Sequence, residues 1–357
     1  MIAIRHLPTL LLLATAVLAS CGESGGKAGA GDSASVAKDS ALAAVAKLER
    51  PTDVVRLALA FKSGDAFGYA ITTVQNVSMA RDSAVDKSTQ RMTYRYRFDV
   101  LAVNEDGSAR MRATCLAVTF KGEYDDGGTK KTMQYDSREK NPESKEKTFA
   151  QYNAPVGAPF EVTLTREGKV ERVSKYDEVI KRLLGKDFNT IKQQARQKIA
   201  EDYAENGLQN ILQGAFQKLE DRPVGVDSAW RHAWTGNLGF LKVQNDATYT
   251  LKGFEKSARG KLAHIAASMT SKYIGNKTLD TGQGLATVET FDITGSGTTL
   301  FNMDDGRPES RKTTQTVRVK FYVEPPEELK KMAPDQAKSF WWSQNATMES
   351  IVERIAL

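Results

Sequence analysis

Two cysteines and three histidines in 357 residues leave few ligands for a metal ion and few partners for a nucleophile. His232 stands between Trp230 and Trp234, and His264 interrupts an apolar stretch. Neither has a second histidine or a thiol at the spacing of a zinc or transition-metal site. From Pro51 onward no Gly-x-Ser-x-Gly elbow supplies a serine nucleophile. The acidic pairs Asp125-Asp126 and Asp304-Asp305 precede glycines in turn-like settings, without the spaced oxygens of a calcium loop. Gly25-Gly26-Lys27-Ala28 fails as a phosphate loop: the first glycine of that motif would fall on Cys21, and Ala28 replaces the hydroxyl that binds magnesium. No cofactor, metal site or catalytic residue is assigned. The formal charge of +6 is mild and spread along the chain, which argues against a nucleic-acid partner.

What is there begins at the N-terminus. Met1 to His6 carries Arg5, and Leu7 to Leu18 is apolar or small apart from Pro8 and two threonines. That core is too short for a bilayer of about 30 Å, and with its basic start it reads as a secretory signal. Leu18-Ala19-Ser20-Cys21 resembles the lipobox of bacterial lipoproteins. The resemblance implies cleavage after residue 20, lipidation of Cys21, and a membrane partner reached through the lipid anchor. Gly22, where an inner-membrane signal would commonly have aspartate, implies the periplasmic face of an outer membrane. Residues 21–49 then form a tether: Gly22 to Lys47 is rich in Gly, Ala, Ser, Lys and Asp and cannot bury enough apolar surface to order itself. With Cys21 committed to lipid, Cys115 has no intramolecular disulfide partner, so the fold rests on its core.

Beyond the tether the pattern predicts an N-terminal β half (50–174), a helical segment (175–220) and a C-terminal β half (221–357). Val55, Leu57, Leu59 and Phe61 alternate as a first strand, and Tyr69, Ile71 and Thr73 as a second. The strongest alternation sets Met92, Tyr94, Tyr96, Phe98 and Val100 on one face against Arg91, Thr93, Arg95, Arg97 and Asp99 on the other. After a turn at Asn104 to Gly107, Met111, Ala113 and Cys115 share the face of the large rings, which assigns Cys115 to packing. The apolar phase then shifts at Leu116, the mark of a bulge. Phe160, Val162 and Leu164 lead to a hairpin turn at Gly168. Helical stripes follow, with a capping-box-like start at Ser174 and Asp177. They run Tyr176 to Leu184, Phe188 to Tyr203 and, after a break at Asn206-Gly207, Leu208 to Leu219. Strands after Pro223 repeat the order of the first half, suggesting two duplicated halves.

Lipobox, tether, long antiparallel strands and a central helical block together resemble an uncharacterised family of bacterial lipoproteins. The architecture is similar to the lipoprotein-carrier type of fold. That resemblance implies an α+β fold: a large curved antiparallel sheet or half-barrel with the helical segment packed on it. It also implies binding of a lipid-like ligand or an envelope partner, without enzymatic activity. Tyr94, Tyr96 and Phe98 are the candidate lining residues, although the same rings could fill a core. Arg95, Arg97, Arg110 and Arg112 share the opposite face and could meet anionic phosphates, or form a solvated face neutralised by neighbouring acids. Of Trp341-Trp342, adjacent residues on a strand, one must face each side. A solid interaction module and an envelope hydrolase, whose two carboxylates can lie far apart along a chain, are the other readings.

Overall fold

Alternation governs most of residues 66–136, 160–174 and 229–355, and among the described residues these stretches form thirteen antiparallel strands around a helical segment. A computed structural model describes residues 48–126, 128–139, 149–238, 241–281, 284–334 and 337–357. The expected signal, Cys21 and the tether as far as residue 47 lie outside them. The strands are β1 (Ala66–Arg81), β2 (Ala84–Val103), β3 (Ala109–Asp126), β4 (Thr129–Asp136), β5 (Phe160–Leu164), β6 (Val170–Ser174), β7 (Ala229–Leu238), β8 (Leu241–Ser257), β9 (Gly260–Tyr273), β10 (Thr278–Asp280), β11 (Leu285–Asn302), β12 (Arg307–Glu324) and β13 (Phe340–Ile355). Ten form one sheet in the order β10-β11-β12-β13-β1-β2-β3-β5-β6, with β4 also on β3; β7-β8-β9 form a second. At its two ends β9 touches β11: Met303 N–H donates to Lys261 O (2.8 Å), and the Tyr273 and Phe291 rings lie 5.9 Å apart. The array is open, not a closed barrel, and of the α+β class that the resemblance implied.

The long hairpin β2–β3 has the expected register. Val100 faces Met111, Phe98 faces Ala113 and Tyr96 faces Cys115, so small side chains sit opposite large rings. Arg95 pairs with Ala117, which leaves Leu116 as the extra residue of a bulge, where the apolar phase shifts.

Two expectations need correction. The alternating run Val55 to Phe61 is not a strand. Leu57 and Leu59 are buried, but the backbone N–H groups bond to scattered partners: Val55 to Val224 O, Leu59 to Arg166 O and Ala60 to Gly306 O. One face of an extended strap over the strand ends produces the same period-two pattern as a strand without any ladder. The helices also differ. They are α1 (Ala150–Asn153), α2 (Asp177–Leu184), α3 (Gln193–Asp202), α4 (Asn210–Ala215) and α5 (Glu327–Met332). Tyr176, not Ser174, is the N-cap of α2, with no side-chain cap bond. Asn206-Gly207 does not break the chain; a π-turn from Tyr203 to Gln209 carries α3 into α4.

The helical segment is fastened to the sheet by α4 and the residues after it. The Phe216 ring stands edge-on to Tyr69 (5.8 Å) and Phe98 (5.7 Å), and Arg311 Nη1 donates to Gly214 O (2.9 Å). The Gln213 amide bonds Gly168 O, Phe216 O and Val170 N–H at once. Gly168 is required there: its φ is +90°, and a Cβ would lie 2.1 Å from Gln217 O. The contacts of Phe216 and Arg311 are with the half of the long strands where β1 begins and β2 ends, and those of Gln213 with the adjoining β5–β6 hairpin. The opposite half, toward Arg81 and Ala84, is the far half.

Candidate binding site

Side chains on the inner face of the sheet line up in rows across the strands, because each strand exposes every second residue to that face. One row reads Tyr94–Ile71–Val352–Arg311–Thr299 across β2, β1, β13, β12 and β11. The next two are Met92–Thr73–Ser350–Thr313–Gly297 and Gln90–Gln75–Met348–Gln315–Gly295. Farther out come Ser88–Val77–Ala346–Val317–Ile293, then Asp86–Met79–Gln344–Val319–Phe291. Three zones result: an aromatic zone under the helices, a belt rich in threonine, serine and glutamine, and a far zone that is mainly apolar and includes Ser88, Asp86 and Gln344.

The aromatic zone is filled. Tyr94, Tyr96 and Phe98 are 6%, 0% and 0% exposed. Phe98 stacks on Phe67 at 5.2 Å, Tyr96 meets Phe160 edge-on at 6.3 Å, and Tyr94 stacks on Tyr96 at 6.0 Å. Burial pushes the phenols of Tyr94 and Tyr96 well above their usual range. Cys115 lies in the same zone, 0% exposed, and burial pushes its thiol up to about 12. At that pKa the nucleophilic thiolate is absent at neutral pH.

The far zone differs on its β1–β4 side, which α1 meets through Tyr152. Val77 and Met79 on β1, Met92 on β2, Tyr124 on β3 and Met133 on β4 are half-buried against the core. Thr73 and Gln90, also half-buried, edge them with hydrogen-bonding groups. Phe120, which pairs with Met92, stacks on Tyr152 of α1 at 5.4 Å, and the Tyr203 hydroxyl donates to Gln151 O (2.9 Å). The strip is therefore a mainly apolar surface with Thr73 and Gln90 at its border, Ser88 and Asp86 beside Val77 and Met79, and an aromatic flank.

Sequence reasoning pointed to the rings on β2 and passed over this strip. Met79, Met92 and Met133 lie on three strands, and only register makes them neighbours. The one signal available was their recurrence on the inward phase of each strand.

The arginines lie on the outer face, as the alternation required. Arg97 is bound through Nε and Nη2 to Asp99 Oδ1 (2.9 and 2.7 Å), and Arg110 Nη1 lies 3.1 Å from Glu161 Oε2. Lys175 and then Arg110 hold the Glu161 carboxyl below its usual range. Arg112 stands between Asp99 on β2 and Glu161 on β5, and Arg95 opposite Ala117. Trp341 is 41% exposed and Trp342 8%, one on each face.

Of the histidines, His232 stacks on Trp234 at 5.2 Å, and burial, followed by Lys218 and Lys169, lowers its pKa. His264 Nε2 lies 3.0 Å from Glu255 Oε2. Among the described residues no group of three His, Cys, Asp or Glu side chains could hold a metal ion. Charges at the helix-covered end are paired: Arg307 with Asp65, Arg354 with Asp305, and Arg259 with Glu309.

Residues 116–307, more than half of the chain, match the family described as "Family of unknown function (DUF6263)". No curated protein matches. Among solved structures, one titled for lipid–protein interactions in lipovitellin is 8% identical with a TM-score of 0.44. It aligns over 83% of this chain, which spans only 25% of the lipovitellin chain. The translocator domain of the autotransporter NalP from Neisseria meningitidis is 7% identical over 90% of this chain and 96% of its own, with a TM-score of 0.20. OpdL from Pseudomonas aeruginosa is 8% identical over 82% of this chain and 99% of its own, also with a TM-score of 0.20.

Proposed function

We propose that this chain, which belongs to the family of unknown function DUF6263, is a non-enzymatic, lipid-anchored envelope protein that holds a lipid-like ligand on the inner face of its sheet. The half-buried strip Val77, Met79, Met92, Tyr124 and Met133 carries this reading. Methionine is unbranched and polarizable, so a surface with three of them adapts to a flexible apolar chain rather than to one rigid shape. Thr73 and Gln90 offer hydrogen bonds to a polar group at the edge of such a chain. The ligand chemistry is an acyl chain with a polar head. The rings of Tyr94, Tyr96 and Phe98 are the packed zone beside the strip on the same face of β2.

The anchor is the Cys21 thioether implied by the lipobox, and the compartment is the periplasmic face of an outer membrane. Both are supported by Leu18-Ala19-Ser20-Cys21 and Gly22. Cys21→Ala is expected to move the chain from the membrane to the soluble fraction with its far-ultraviolet circular dichroism unchanged. A chain that stays on the membrane sinks the anchor.

The ligand is tested by native mass spectrometry of the gently purified full chain. A reproducible adduct of lipid mass is expected, and Met79→Asp with Met133→Asp should remove it while the fold survives. A bare protein mass, with no uptake of an added fluorescent fatty acid, overturns the reading and leaves the solid interaction module. That second reading draws on the filled aromatic zone.

A further inference from the structure

Five of the nine large hydrophobic residues that are exposed among the described residues lie at one end of the sheet, the far rim. They are Val85, Ile274, Leu285, Met332 and Trp341, exposed by 41% to 84%. They come from five places in the chain: the start of β2, the end of β9, the start of β11, α5 and the start of β13. Register places the starts of β2, β11 and β13 at the same level, since Arg81 faces both Ala84 and Trp342, Tyr322 faces Trp341, and Leu285 faces Glu324; α5 follows the same end of β12, and Ile274 follows the end of β9. From β11 to β2 the rim crosses four strand intervals, about 19 Å at the usual spacing. Hydrophobic groups spread along such an edge suit a planar partner rather than a compact pocket.

The aromatic and charged groups of the rim point the same way. Trp341 packs on Tyr322 with ring centroids 5.0 Å apart, and Lys320 Nζ lies 4.2 Å from the Trp341 ring centre. An indole and a phenol beside a lysine put apolar bodies and polar tips at one level, the arrangement favoured where hydrocarbon meets headgroups. Lys87, Lys272, Lys277 and Lys331 are exposed around it. Two rim carboxylates are turned to backbone instead: Asp82 accepts the Trp341 N–H (3.0 Å) and Asp125 the Gly128 N–H (2.9 Å). Glu327 of α5 is held by Lys330, and among the described residues Lys87, Lys272, Lys277 and Lys331 form no ion pair within 4 Å, although Asp86, Asp280 and Glu328 stand on the same rim.

We propose that the far rim is a docking surface for an anionic phospholipid bilayer, with Trp341 and its apolar neighbours at headgroup level and the lysines on phosphates. This contact is separate from the covalent anchor and does not depend on the ligand.

The test uses the full chain on vesicles of phosphatidylethanolamine and phosphatidylglycerol whose acyl chains carry bromine, a short-range quencher of tryptophan. The N-terminal segment has no tryptophan, so quenching reports the folded body even when the anchor holds it to the vesicle. Quenching is expected in the wild type and should be lost in Trp341→Phe. Lys87→Glu with Lys331→Glu should weaken the quenching-competent contact by about tenfold or more at low salt, and raised salt should do the same. Leu285→Glu, which leaves every tryptophan in place, should also reduce quenching. Quenching that is absent, or unaltered by Trp341→Phe or by Leu285→Glu, overturns the proposal. Loss of rim quenching with the lipid adduct retained refutes docking alone, and a lost adduct with quenching retained refutes the ligand alone.

Discussion

Phe216 is the first residue after α4 and the only large ring that the helical segment places against both Tyr69 and Phe98 among the described contacts. It is 1% exposed. Truncation to alanine removes most of a buried phenyl group and leaves a hole, because Tyr69 and Phe98 are held by their own strands and cannot collapse into it. Transfer of the ring back to water and the residual cavity together cost about 3–5 kcal/mol for such sites. The two edge-on pairs place Phe216→Ala in the upper part of that range, since each adds about 0.5–1.5 kcal/mol beyond area. Phe216→Leu, which keeps the volume nearly filled, should cost about 1–1.5 kcal/mol. The assay is urea unfolding followed by circular dichroism, with the midpoint shift read at unchanged slope. Hydrogen exchange across residues 177–215 gives a second, local signal, because a helical segment that undocks exchanges faster than the sheet. A loss below about 1 kcal/mol for Phe216→Ala, with exchange unaltered, would falsify the account of how the segment is fastened.

Gly168→Ala and Gly64→Ala form a pair: both glycines have φ near +90°, but only Gly168 would drive a Cβ into backbone, at Gln217 O. Gly64→Ala should cost about 1 kcal/mol and Gly168→Ala at least twice that, in the same denaturation assay; equal losses refute the contact. Cys115 should resist thiol reagents at pH 8 in the native chain and react on unfolding, because burial pushes its pKa up to about 12. Its folded pKa lies above the unfolded value near 9. The stability it lends is therefore whole below that pH and lost as pH rises toward the folded value. Thermal unfolding should weaken from about pH 9 upward, less steeply in Cys115→Ala; identical alkaline limbs would contradict this. His232 is shifted the other way, so its stabilising effect is present above pH 6.5 and lost as pH falls through the lowered pKa. Lys218→Glu should bring the His232 titration, followed by NMR, back up toward the usual imidazole value.

Local pattern was a good guide wherever one residue's environment followed from its neighbours along the chain. The phase shift at Leu116 marked a bulge, because an extra residue must exchange the two faces of a strand. Small residues opposite Tyr96 and Phe98 followed from the hairpin turn. The guide failed at Val55 to Phe61, where a strap with one buried side imitates a strand, and at Asn206-Gly207, where a π-turn absorbs what reads as a break. Neither outcome depends on local preference. Both were settled by partners distant in sequence, Arg166 and Gly306 for the strap and the sheet beneath for the helices.

The same division applies to the site. Periodicity alone determined that this chain has long strands on either side of a helical segment, with rings on one face of β2 and arginines on the other. It also placed Cys115 in packing, because which face a strand residue takes needs only a period of two and a turn. Tertiary structure alone decided that β13 closes against β1 and that the helical segment covers one half of the inner face. It decided as well that Val77, Met79, Met92, Tyr124 and Met133 meet on the other half, and that Trp341 shares a rim with Val85 and Leu285. Those neighbourhoods depend on strand order, register and which edge the helices reach. The β1–β13 pairing joins residues more than 250 positions apart, and although β1 to β4 are consecutive hairpins, which half of their face the helices cover is set by contacts outside them.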